Sequence, residues 1–114
     1  MHGEHFGWST WQGVAVVRPP TELDLSNANR LRDCCWAASD ASGPCVVVDL
    51  SGTTFIDSTA LGVFVGVAKR LAADGGWLRL ASGDSELVKK VLAITELDVC
   101  LGNYPSVEKA IEAW

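Results

Sequence analysis

Apolar positions along this chain follow two alternating periods. Val14-Ala15-Val16-Val17, the run from Cys45 to Leu50, and Trp77 to Ala81 are short apolar stretches bounded by Gly or Pro, and they predict strands. Between them, apolar residues recur at three- and four-residue spacing. Ala28, Leu31, Cys35 and Ala38 predict one helix; Leu61, Phe64, Val65, Ala68, Leu71 and Ala72 predict a second; Leu87, Val88, Val91 and Leu92 predict a third. Val99-Cys100-Leu101 reads as a further short strand, and Val107, Ala110, Ile111 and Trp114 as the apolar face of a last helix. The punctuation agrees: Pro19-Pro20 stops the first strand, Ser42-Gly43-Pro44 and Gly75-Gly76 end helices, and Ser26 or Asp24, then Asp57, then Asp84, stand where N-caps are expected.

Strands alternating with helices imply right-handed β-α-β crossovers and a mostly parallel sheet. Cys45 to Leu50 is apolar without alternation, as a central strand covered on both faces requires. The expected fold is α/β: one domain over residues 13–114, with about four to five strands covered by about four helices. Residues 1–12, rich in Gly and polar groups, read as a lead-in or a first edge strand.

Composition narrows the function classes. A chain of 114 residues, 48% apolar and 20% charged, has the balance of one globular domain. Its net charge of −5 argues against nucleic acid or anionic lipid as the chief partner. The longest apolar run, Ala60 to Ala68, is too short to span a bilayer, and the first six residues lack a targeting pattern, so a cytoplasmic protein is expected. The cysteines (Cys34, Cys35, Cys45, Cys100) form no C-x-x-C pair and the histidines (His2, His5) sit together at the start; neither a metal site nor a cofactor is expected. Nucleotide-binding glycine motifs and the serine-nucleophile elbow are absent, and Ser58 has no credible general base, so independent catalysis is not expected.

The chemistry concentrates at Phe55-Ile56-Asp57-Ser58-Thr59-Ala60-Leu61-Gly62. With Asp57 as N-cap, Ser58 opens a helix and presents its hydroxyl at the positive end of the helix dipole. The same tripeptide also serves as an ordinary helix start. Gly62, Val63, Gly66 and Val67 fall on the predicted outward face of that helix, with no charge until Lys69. Such a face is either a partner footprint or a seat for a neighbouring helix.

Asp57-Ser58-Thr59-Ala60-Leu61-Gly62, preceded by Val48-Asp49-Leu50-Ser51 and by an upstream Glu22-Leu23-Asp24, resembles the anti-sigma factor antagonists, small single-domain proteins of the STAS fold. Thr21 stands where that family usually has Gly, and Ala60 where many members have Gly. The resemblance implies a switch. Unphosphorylated, the chain would bind an anti-sigma factor that is also a serine kinase and so free a sigma factor. Phosphorylated at Ser58, it would let go until a phosphatase resets it. Thr59 is the weaker phosphoacceptor candidate. Glu22 and Asp24, otherwise readable as a solvated turn with a cap, would join Asp57, Ser58, Thr59, Gly62, Val63 and Gly66 in the partner surface. The alternative is a STAS interaction or ligand-binding module without phosphorylation. A monomer is expected.

Overall fold

The computed structural model describes residues 6–95 and 101–113. The predicted α/β architecture is present. A five-stranded sheet runs in the order β1 (Gly7–Trp11), β2 (Val14–Arg18), β4 (Cys45–Asp49), β6 (Trp77–Ala81), β7 (Asn103–Tyr104). Only the β1–β2 pair is antiparallel, with Gly7 opposite Arg18 and Trp11 opposite Val14. The remaining pairs are parallel, Ala15 facing Val46, Val46 facing Leu78, and Leu80 facing Asn103. Among the described residues four helices cover the sheet: α1 (Ala28–Ser42), α2 (Ser58–Ala73), α3 (Glu86–Ile94) and α4 (Val107–Glu112). A separate two-stranded parallel ribbon joins β3 (Glu22–Leu23) to β5 (Phe55–Ile56).

Strand alternation sorts the core into two layers. Ala15, Val17, Val46, Val48, Leu78 and Leu80 point to one face, where they pack with Leu31, Cys35, Phe64, Leu71, Val88 and Leu92 of α1, α2 and α3. Val16, Val47 and Ala81 point to the other, against Ala110 of α4 with Val107 and Ile111 beside it. Val46, Val47 and Val48 are all fully buried, so β4 is covered on both sides as its unbroken apolarity demands.

The helix ends follow local rules. At the end of α2 the Gly75 amide donates to Ala72 O (3.1 Å) and the Gly76 amide to Leu71 O (2.8 Å), with Gly75 at φ 86°, the double closure of a Schellman turn. A Cβ on Gly76 would come within 1.9 Å of Pro44 O, so a side chain there would force β6 away from the turn before β4.

Five expectations need correction. α1 starts at Ala28, with Asn27, one residue beyond Ser26, at the N-cap position and no side-chain cap. In α3 the cap is Ser85, whose Oγ accepts from the Val88 amide and donates to Thr53 O (3.0 Å); Asp84 lies outside the turn. Leu87 is 49% exposed, since Val88 and Leu92 alone turn fully inward from α3. The last strand is Asn103–Tyr104. Leu101 has helical backbone and ends in a turn at Gly102, while Val99 and Cys100 lie outside the described residues, as does Trp114. A three-residue apolar run does not distinguish strand from helix.

The fifth correction concerns α2. Its buried stripe is Ala60, Phe64, Val67 and Leu71, rotated from the expected one; Val65 is half-buried and Ala72 exposed. α2 is apolar nearly all round, so its own pattern does not choose a face. Packing against α1 as well as β6 does.

Candidate functional site

The β3–β5 ribbon sets Glu22 opposite Phe55 and Leu23 opposite Ile56. The two segments singled out in the sequence, Glu22-Leu23-Asp24 and Asp57-Ser58-Thr59, therefore lie side by side at the start of α2. Further bonds extend the pairing in both directions. Thr21 O accepts from the Thr54 amide (2.7 Å), and Leu23 O accepts from the Asp57 amide (3.0 Å).

Asp57 is the joint. One carboxylate oxygen, Oδ1, accepts from the Ala60 amide (3.0 Å) and caps α2; the other, Oδ2, accepts from the Leu25 amide (3.0 Å) in the loop ahead of α1. One half-buried side chain thus fixes both the helix start and the loop beside it. Asn27, fully buried, completes the frame. Its Oδ1 accepts from the Asp24 amide (3.0 Å) and its Nδ2 donates to Glu22 O (2.8 Å). Sequence reasoning missed Asn27, although an Asn directly before the first buried residue of a helical stripe is a start signal. Its side chain turns back into the loop, where helix-cap logic alone does not send it.

Ser58 and Thr59 are both exposed on the first turn of α2. Their own amides belong to the N–H groups left without a helical partner at a helix start, and of the first-turn amides the Asp57 side chain takes that of Ala60. Asp24 is half-buried in the adjoining loop, but its Oδ1 accepts from the Ser26 amide and from Ser26 Oγ. Glu22 is exposed on the ribbon. Asp49, at the end of β4, accepts from the Ser51 amide (3.0 Å) and lies 3.5 Å from Arg18 Nε, so its charge is already partly met.

The outward face of α2 differs in one residue from expectation. Gly62 and Gly66 are exposed and Val63 is half-buried, but Val67 is buried. No described residue of this chain packs closely onto the two glycines. A Cβ built on Gly62 or on Gly66 meets nothing within 4 Å. These two glycines face open space, in a groove of about 350 Å³ between α1 and α2 that runs from Thr59 to Arg70. Arg32 and Trp36 of α1 form its far wall, a contribution the sequence did not reveal because α1 drew attention only for its buried stripe.

The thiols stand apart from this site. Cys35 is buried in the main core, and burial pushes its thiol up to about 12, with the neighbouring Cys34 adding to the shift. Burial also raises Cys34. Among the described residues no cluster of three or more His, Cys, Asp or Glu is placed to hold a metal ion, and no helix is long and apolar enough to cross a membrane.

Comparison with known proteins gives a consistent result. The STAS domain family matches residues 9–110. A Thermotoga neapolitana protein, a TM1081 homolog named for anti-sigma factor antagonism, is 30% identical over 110 residues, which is 94% of this chain and 95% of that protein. The crystal structure of an anti-sigma factor antagonist from Mycobacterium paratuberculosis is 25% identical, with a TM-score of 0.79 over 95% of this chain and 91% of that one. The Bacillus cell fate determinant SpoIIAA in its phosphorylated form shares the fold, with 22% identity and a TM-score of 0.68 over 95% and 97% of the two chains.

Proposed function

The chain belongs to the STAS domain family, and from that premise we propose that it is an anti-sigma factor antagonist switched by phosphorylation of Ser58. Unphosphorylated, it binds an anti-sigma factor kinase in the cytoplasm and frees a sigma factor. Phosphorylated, it releases that partner until a phosphatase removes the group. ATP and the catalytic base belong to the kinase.

The observation that carries this reading is the exposed Ser58 hydroxyl on the first turn of α2, next to an Asp57 that already has both carboxylate oxygens engaged. A phosphoryl group adds about −1.5 to −2 charges and three acceptor oxygens. The helix dipole and the free first-turn amides favour that charge, while Asp57, and Asp24 in the adjoining loop, oppose it. The two effects act on the same atoms with opposite sign, so the fold is left nearly as stable as before. A docked partner experiences the charge without that compensation, at a cost of several kcal/mol if the contact is dry.

Thr59 shares the helix end and the exposure of Ser58, and is the second site to check. The test is incubation with the cognate kinase and ATP, with the modified peptide mapped by mass spectrometry. Modification at Ser58, together with loss of kinase binding by Ser58→Asp, is the expected result. An unmodified Ser58 peptide, or a Ser58→Asp variant that binds like wild type, overturns it.

A second reading has one observation in its favour. β1 is an edge strand carrying Trp8 (37% exposed) and Trp11 (45% exposed), a surface suited to self-association without any phosphorylation. Size-exclusion chromatography over a range of concentrations, with wild type and Ser58→Asp compared, separates it from the first.

A further inference from the structure

We infer that the groove between α1 and α2 seats an acidic segment of the protein partner, its carboxylates on Arg32 and Arg70 and its backbone against Gly62 and Gly66. The inference rests on the docking surface proposed above and assigns it a second wall and a chemistry.

Three observations converge on the groove. The first is its floor. Gly62 and Gly66 lie in the interior of α2 with ordinary helical backbone, and a Cβ at either would touch nothing in this chain. Neither conformation nor internal packing calls for glycine, yet each lowers helix stability relative to Ala. What the two glycines provide is space, at the bottom of a groove of about 350 Å³.

The second is charge. In a chain of net charge −5, this groove is lined by two guanidinium groups and no carboxylate. Arg70 lies over the Trp36 ring, 4.8 Å from its centroid, and makes no ion pair among the described residues. Arg32 is 3.6 Å from Asp33 through Nε, an exposed pair of the kind that contributes little. Both forks keep donors free for a carboxylate, and stacking on Trp36 holds that of Arg70 in place beforehand.

The third is what lies beyond. Past Arg70 and Trp36 the surface continues into a smaller recess of about 150 Å³ lined by Asp40 and Asp74. At the other end stand Asp57 and the Glu22–Asp24 loop. An acidic side chain is welcome between Arg32 and Arg70 and repelled on either side, which fixes the register of a bound segment. The same flanking carboxylates disfavour a long polyanion. The groove is open along its length, so a small free anion would bury little of itself there; a peptide segment that also covers the glycines gains more.

The inference is tested in two arms. In the first, the isotope-labelled full chain is titrated with two helical peptides of identical apolar pattern, one bearing Glu and one bearing Lys at the solvent-flanking positions. The Glu peptide shifts the amide signals of Gly62 and Gly66 and the indole N–H of Trp36, and the Lys peptide does not. Charge reversal, Arg32→Glu with Arg70→Glu, exchanges the two peptides. Equal behaviour of the peptides, or shifts confined to other surfaces, overturns the inference.

The second arm uses the cognate anti-sigma factor kinase of the proposed function. Charge reversal weakens its binding about tenfold or more, as loss of desolvated charge pairs does. Gly62→Ala with Gly66→Ala raises the melting temperature while weakening binding. If Ser58→Asp abolishes binding but the arginine and glycine variants bind like wild type, the groove assignment fails and the switch stands. If the arginine and glycine variants weaken binding but Ser58→Asp does not, the groove stands and the switch fails.

Discussion

The two faces of the central sheet are built on different principles. One buries a thick apolar layer, in which Phe64, Leu31, Leu71, Leu80 and Leu92 are fully enclosed between strands and three helices. The other carries, among the described residues, the six-residue α4 over Val16, Val47 and Ala81. Besides its apolar contacts through Val107, Ala110 and Ile111, that short helix is tied down by one polar side chain. Arg79 projects from β6, stacks 3.8 Å above the centroid of Trp77, and donates from Nη1 to Ala110 O (2.9 Å) and Ala113 O (2.8 Å) at the end of α4. A helix this short is marginal by itself. The lesson is that one face is stabilised by a large buried area, and the other by a smaller one reinforced by a few directed bonds. The candidate site stands on the first, where many contacts share any local perturbation.

Four measurements break or sharpen this contrast. The largest effect belongs to the thick face: Phe64→Ala removes a fully buried ring and lowers unfolding stability by about 3–5 kcal/mol in urea denaturation. On the thin face, Arg79→Ala leaves two C-terminal carbonyls without their donor and costs about 2–4 kcal/mol. Its signature is fast hydrogen exchange confined to α4, and exchange that rose uniformly would refute the division. The third probe is pH. Cys35 has a folded value raised to about 12 against an ordinary 9.0, so its contribution is complete below pH 9 and is lost as pH climbs from 9 toward 12, when the unfolded thiol ionises and the folded one does not. Stability then falls by on the order of 1 kcal/mol by about pH 10, and Cys35→Ala flattens the slope. Smallest is Ser58→Asp, which shifts stability by less than about 0.5 kcal/mol because dipole and carboxylates oppose each other there. A large loss would mean that Ser58 belongs to the frame and not to the surface.

Much of this fold was legible because its local rules are strong. The β4 run, the buried stripe of α1 and the Gly75-Gly76 stop each carry their own explanation, and the structure reproduces them. The adjacency of Glu22-Leu23-Asp24 to Asp57-Ser58 was accessible only through family resemblance, since a two-residue ribbon has no periodicity to read. The face of α2 was misjudged where apolar residues surround the helix, and there only tertiary packing decides. Arg32, Trp36 and Arg70 stayed hidden for a related reason. They come from two helices whose separation along the chain says nothing about the groove between them.

The bridge made by Asp57 has a further consequence. One of its two oxygens holds an amide 32 residues away along the chain, so the surface around Ser58 exists only after distant parts of the chain have met. A growing or misfolded polypeptide displays the right residues without their arrangement. An enzyme that reads this surface by shape would therefore pass over immature molecules.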